Sequence, residues 1–367
     1  MKDKDYQPDW FSKPGDTLAE LMARKGLTVA QLSESTELSK ECIAQLLAGA
    51  RPIDDKIAEA LAPALGSSSS FWKKRQAAYD NALERAAERI SPELAQAWLR
   101  EFSHKQMSEY GLRKKGNKKQ DLIKTCLAYF GVANPDEWRK RYADYPADVV
   151  FRTTSSFETK MGALSLWLRQ GELRASAVTT ARWDSSQLRD QIANLRRLSK
   201  RKSPLGFAPE LRAICAAAGV AIVFVRAPTG CRASGASRFI GPNKAMVVVS
   251  FRHLSDDHFW FTFFHEIGHL LLHGKDATFV DGDETARSDR EKEANAFAAC
   301  ALIPLERHEE LLSLSPKMDP VVRFAVSVGV APGIVVGQLQ HSKIIGQEQL
   351  NFLKRRFAWE EVSAAFA

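Results

Sequence analysis

Apolar residues recur at helical spacing along most of this chain, and they read as strands in only one short region. Four helices are punctuated between residues 14 and 66. Pro14-Gly15-Asp16 opens a helix with Leu18, Leu21 and Met22 on one face, and Gly26 stops it. Thr28 caps a second helix carrying Val29 and Leu32. Ser39 caps a third with Ile43, Leu46 and Leu47, closed by Gly49. Pro52-Ile53-Asp54 starts a fourth with Ile57, Leu61 and Leu65, ended by Gly66, and Ser67–Ser70 caps the helix after it. Two short helices joined by the turn at Thr36–Leu38, inside a small all-helical unit, have the geometry that sets a recognition helix in the major groove.

Residues 90–205 also predict helices, over Pro92–Phe102, Lys119–Phe130, Asp136–Tyr142, Phe157–Gln170 and Ser185–Ser199. Basic clusters at Arg113-Lys114-Lys115…Lys118-Lys119 and at Arg196-Arg197…Lys200-Arg201-Lys202 read first as solvated surface, with support of DNA binding as the second reading. Strands are predicted at Val220–Val225, Ala236–Ile240 and Ala245–Phe251, with turns at Pro228–Gly230 and Gly241–Asn243. The fold class is therefore α+β and mainly helical. A tail over Val321–Phe352 returns to helical rhythm, with Gly329 and Pro332-Gly333 setting a turn, and is expected to pack on the part of the chain before it.

The densest chemistry lies in the apolar run Phe259–His273, which contains His265-Glu266-Ile267-Gly268-His269. On a helix, positions i and i+4 share a face, so both imidazoles can grip one Zn²⁺. Glu266, beside the first histidine, is then placed to take a proton from a water activated at the metal. The helix Phe259–Leu272 is apolar almost all round, and a plain core gives no reason for two histidines and a glutamate there. Zinc hydrolases commonly add one carboxylate or histidine as the third ligand. Glu291, 22 residues after His269 on a second helix, is the first candidate. Glu293 points elsewhere on that helix and is the second. Glu284 is the third, because the Asp281–Glu284 run reads as a solvated face. Asn295, at i+4 from Glu291, can orient a ligand by a hydrogen bond.

These residues carry a resemblance. The run Phe259-Trp-Phe-Thr-Phe-Phe-His-Glu-Ile-Gly-His-Leu-Leu-Leu-His-Gly274, then Glu291-x-x-Ala-Asn-x-Phe-Ala298 and Leu302-Ile-Pro304, resembles the ImmA/IrrE metallopeptidases. The resemblance implies a gluzincin-like enzyme with His265, His269 and Glu291 on zinc, Glu266 as base and His273 in a structural or supporting role. Several members of that family cleave a transcriptional repressor. It also implies a zincin-like domain in which the edge strand before the metal helix, here the Ala245–Phe251 neighbourhood, binds extended substrate; the sheet can equally be the wall that packs that helix, and the two roles are compatible. Residues 14–80, including Gly49-x-Arg-Pro-Ile53 and Phe71-Trp72-x-x-x-Gln76-x-x-Tyr79-Asp80, resemble the HigA-like branch of the XRE/Cro helix-turn-helix proteins. The third helix then offers Ser39, Lys40, Glu41 and Gln45 to DNA. Gln45 suits adenine, Lys40 phosphate or guanine, and Glu41 cytosine, while Gln31 anchors the backbone. The expected domains are a helix-turn-helix DNA-binding domain at 1–90, a helical linker at 91–204, and a metallopeptidase domain with its helical tail at 205–367.

Composition narrows the setting. With 45% hydrophobic and 26% charged residues, the 367-residue chain reads as an ordinary globular protein of two or three domains. Its five cysteines form no CxxC pair and read as buried thiols in a reducing compartment. No apolar run reaches the length of a membrane span and the first ten residues are too polar for a secretory signal, so a cytoplasmic place is expected. A net charge of +8 permits nucleic-acid binding without requiring it. Two functions compete. One is a DNA-binding regulator carrying a zinc endopeptidase, with Mn²⁺ as a substitute metal in vitro. It would act as a homodimer on an inverted-repeat operator and cut a regulatory protein such as a repressor. The other is an antitoxin-like or autoregulatory repressor whose metal site is structural or inactive.

Overall fold

The computed structural model describes residues 11–113, 118–143, 161–274 and 284–366, with the side chains of 143 and 284–288 excepted. The basic residues Lys114 and Lys115 with Gly116, the helix start expected at Phe157, the acidic run 281–283 with its central glycine, and the Glu284 side chain lie outside that description. The described residues form two compact units, one of 11–143, 161–179 and 228–230, the other of 180–227 and 231–366. The helical stretch 91–204 is thus shared between the two.

The first unit is all helical. Its helices are α1 (Pro14–Arg24), α2 (Val29–Thr36), α3 (Lys40–Leu47), α4 (Asp55–Leu65), α5 (Ser69–Glu88), α6 (Pro92–Arg100), α7 (His104–Glu109), α8 (Lys119–Phe130), α9 (Pro135–Ala143) and α10 (Met161–Ala177). The caps fall where the sequence puts them. The Thr28 hydroxyl accepts from Gln31 N at 3.2 Å, Ser39 from Cys42 N at 3.0 Å, and Asp54 from Ile57 N at 2.9 Å. Gly66 ends α4 at φ 65°, the left-handed value that glycine adopts without strain. Leu18, Leu32, Ile43, Leu61 and Trp72 form the core between α1 and α5. Helix α10 is buried on nearly every side and carries Arg169, whose guanidinium donates to Tyr129 O, Ala48 O and the Glu172 carboxylate.

The second unit begins with α11 (Ser185–Asp190), α12 (Ile192–Leu198) and α13 (Pro204–Ala217). The single helix expected over Ser185–Ser199 is broken at Gln191, whose N–H bonds back to Leu188 O; the break lets Leu188, Leu195 and Leu198 all reach the core. Three strands follow, β1 (Val220–Phe224), β2 (Gly235–Gly241) and β3 (Lys244–Val249), in the order β1-β3-β2. Strand β3 pairs parallel with β1 (Val220↔Ala245) and antiparallel with β2 (Ser237↔Val247). This corrects one expectation. The Ala245–Phe251 strand has neighbours on both sides and cannot be the edge; β1 and β2 are the edges, and β2 is the one that packs on the helix carrying His265 and His269. The reason is topological: β1 returns through β2 before β3 inserts between them, an order that strand periodicity does not encode.

Helix α14 (Asp256–Leu272) crosses the sheet, followed by α15 (Glu284–Leu302), α16 (His308–Leu312), α17 (Met318–Val328), α18 (Pro332–His341) and α19 (Trp359–Ala365). The tail packs on α14. A Cβ at Gly333 would fall 2.5 Å from Asp256 Oδ1, and one at Gly337 3.0 Å from Asp257 Oδ2, so these glycines admit the start of α14. Lys354 Nζ closes the junction on Asp257 Oδ2 at 2.7 Å, with both side chains buried. Burial pushes the Asp256 carboxyl up to about 6, with the neighbouring Asp257 charge adding to it. Among the described residues no single helix is long and apolar enough to cross a membrane.

Candidate metal centre

Two helices and one strand build the site. The start of α14 is fixed by the tail, and its apolar residues Phe259, Trp260, Phe263, Phe264 and Ile267 point into the core. That orientation turns His265 and His269, one helical turn apart, toward α15. Helix α15 comes unusually close because Gly268 leaves room for it: a Cβ there would lie 3.0 Å from the Phe297 ring and 3.3 Å from Ala294 Cα. Ala294 and Ala298 are fully buried at this contact. The close approach delivers Glu291 to the histidines.

Glu291 Oε2 lies 3.3 Å from His265 Nε2, and Oε1 lies 3.2 Å from His269 Nε2. The two imidazole nitrogens are 3.0 Å apart. Atoms held tetrahedrally around a zinc ion at its usual bond lengths are about 3.3 Å apart. Two ring nitrogens converge on one carboxylate at these distances, and the nitrogen–nitrogen–oxygen donor set suits a borderline divalent ion. His265, His269 and Glu291 therefore form a group able to hold a metal ion. Burial would raise the Glu291 carboxyl, but the two imidazoles against it hold it well below the usual carboxylate range.

Asn295 lies where the helical spacing puts it, with Oδ1 3.1 Å from His265 Nδ1. With the proton on Nδ1, this contact fixes the ring and leaves the Nε2 lone pair facing the metal position. His273 faces away: its Nε2 bonds Arg290 O at 3.2 Å, and its Nδ1 lies 3.7 Å from Glu293. Glu293 is therefore engaged on the far side of the group and is not part of it.

Glu266 is buried, and its Oε2 accepts a hydrogen bond from the Ser237 hydroxyl on β2 at 2.8 Å. Burial pushes its carboxyl up to about 7 and Glu291 adds to this, against the pull of His269 and the Ser237 hydrogen bond. Ser237 and its neighbour Gly235 were not visible from sequence. A Cβ at Gly235 would meet Glu266 Oε1 at 2.8 Å and Thr262 Cγ2 at 2.5 Å, so only glycine lets β2 lie this close to the carboxylate. Neither residue belongs to a local motif; the β2–β3 register alone brings them to α14.

The residues expected to meet DNA are on the first unit. Gln31, Ser39, Lys40 and Glu41 are exposed, while Gln45 is half-buried and donates to Glu41 at 3.4 Å. No curated protein and no solved structure matches the chain. Residues 217–335, about a third of the chain and the stretch that carries every group of this centre, match the Peptidase M78 family model, the IrrE N-terminal-like domain.

Proposed function

We propose that this chain is a zinc-dependent endopeptidase that cuts a regulatory protein, and that its N-terminal helix-turn-helix brings it to DNA as a homodimer. The observation that carries the peptidase reading is the place of Glu266. A structural metal site needs no buried carboxylate beside its first ligand, aimed by a hydroxyl from the neighbouring strand. The similarity of 217–335 to a metallopeptidase family supports the same reading.

Zinc bound by His265, His269 and Glu291 would act as a Lewis acid that acidifies water and polarises a carbonyl. Glu266 takes the proton of the attacking water and passes it to the leaving amine. Ser237 holds the Glu266 carboxylate during both transfers. Asn295 keeps His265 in the ligating tautomer. An extended peptide laid along β2 would run past Glu266, which gives the edge strand the substrate role.

The test compares the wild type with Glu266→Gln, each supplied with Zn²⁺ or Mn²⁺ and incubated with repressors encoded beside it. The variant is expected to keep its metal and lose cleavage. Equal cleavage by both proteins would remove Glu266 as the base, and cleavage of no partner by the wild type would favour a regulator with a structural metal.

A further inference from the structure

The outward side of α3 is not open in this structure. At about 100° per residue, Cys42, Ile43 and Leu46 point into the core with α1, α2 and α4, so Lys40, Glu41, Ala44, Gln45 and Ala48 lie on the opposite side. That is the side a recognition helix presents to a groove. Its first turn, Lys40 and Glu41, is exposed. Its second turn is not. Ala44 is fully buried although it stands outside the cluster that its neighbours Cys42, Ile43 and Leu46 form. The element packed along α3 here is α10, and Arg169 of α10 donates to the Ala48 carbonyl at 2.8 Å. Alanine at both positions admits a second helix where a longer side chain would hold it off.

We propose that α10 covers the groove-facing side of α3, so that α10 and duplex DNA compete for one surface. This rests on the DNA-binding part of the reading above and adds its control. Charge sharpens the competition. Thr28–Glu59 carries six acidic residues against three basic ones, so phosphates gain no electrostatic advantage with which to displace the cover. Arg169 is meanwhile held by Glu172 at 2.9 Å and by the carbonyl of Tyr129, which keeps α10 seated when DNA is absent. DNA contact therefore waits on the release of α10.

The experiment uses the full chain with Ala44→Gln, a neutral side chain that an open recognition helix tolerates and a covered one does not. A randomised duplex pool is selected against wild type and variant, and the enriched duplex is titrated by fluorescence anisotropy at fixed salt. Hydrogen exchange of the α10 amides is followed in parallel. Ala44→Gln is expected to speed α10 exchange and to tighten binding by about tenfold or more, the factor by which a mostly closed population lowers apparent affinity. Adding Lys40→Ala should reverse that gain. Arg169→Gln loosens α10 without altering α3 and is expected to act in the same direction, which keeps the test valid if Ala44→Gln fails to melt cooperatively. Three results would overturn the proposal: unchanged α10 exchange in both variants, released α10 with no gain in binding, or wild type already binding through Lys40 with α10 protected.

Discussion

Asn295→Ala separates a metal-binding centre from an accidental cluster of polar residues. The amide oxygen lies 3.1 Å from His265 Nδ1, the ring nitrogen opposite the one that faces Glu291. Truncating it leaves His265, His269 and Glu291 in place, and a plain surface cluster would be indifferent to the change. If His265 is a ligand, its ring loses the partner that fixes tautomer and orientation. Removing such a partner typically lowers metal affinity 10–100-fold, about 1.4–2.7 kcal/mol. Asn295→Asp keeps an acceptor at the same place and should hold affinity near or above the wild type. Glu291→Ala, which removes a ligand, should weaken binding more than Asn295→Ala. Glu293→Ala should leave binding within about twofold, since that carboxylate lies against His273. Competition titration with a zinc chelator at neutral pH reads all four variants on one scale. An Asn295→Ala affinity equal to wild type, or stoichiometric metal in Glu291→Ala, would refute the assignment.

Glu266→Gln should bind zinc as the wild type does while turnover of any identified substrate disappears, measured by metal analysis and gel assay; residual wild-type turnover would defeat the role of base. Lys354→Met strips Asp257 of its buried partner and should destabilise the second unit by about 3–5 kcal/mol, seen as a lowered denaturation midpoint; an unchanged midpoint would show that the pair contributes nothing. Asp256 gives a pH test, because its folded carboxyl is raised from 3.8 to about 6. Its contribution to stability is complete below about pH 4 and is lost as pH rises through 6, since the buried carboxyl must then ionise. Asp256→Asn cannot ionise, so its melting temperature should improve relative to wild type between pH 4 and 7. A constant difference across that window would exclude the burial argument.

The parts of the site legible in the sequence are those fixed by helical period. His265, Glu266 and His269 are one turn of one helix, and Asn295 follows Glu291 by the same rule, so no knowledge of topology was needed to place them. That Glu291 and Glu293 face different ways was also legible, because two residues along a helix turn a side chain to another face; which of them meets the histidines follows from how α15 packs. What lay beyond reach depends on contacts between elements distant in sequence. The close passage of α15 over Gly268 is written in Gly268, Ala294 and Ala298, but small residues occur in many helices that pack on nothing. The edge position of β2 follows from β3 inserting between β1 and β2, which no run of apolar residues announces.

The same distinction explains why the two ends of the chain read so differently. In the first unit the caps Thr28, Ser39 and Asp54 mark where α2, α3 and α4 begin, and each does so through one local hydrogen bond. Local rules place those helices well, yet they say nothing of what lies against the side of α3 turned from the core. That side is decided by α10, more than a hundred residues later, through a contact that a list of helices cannot contain. A recognition-helix assignment from spacing therefore establishes the helix and its core face. Whether the other face meets DNA is a question of tertiary packing, and alanine at 44 and 48, where a groove reader would carry longer polar side chains, is a local sign consistent with the proposed cover by α10.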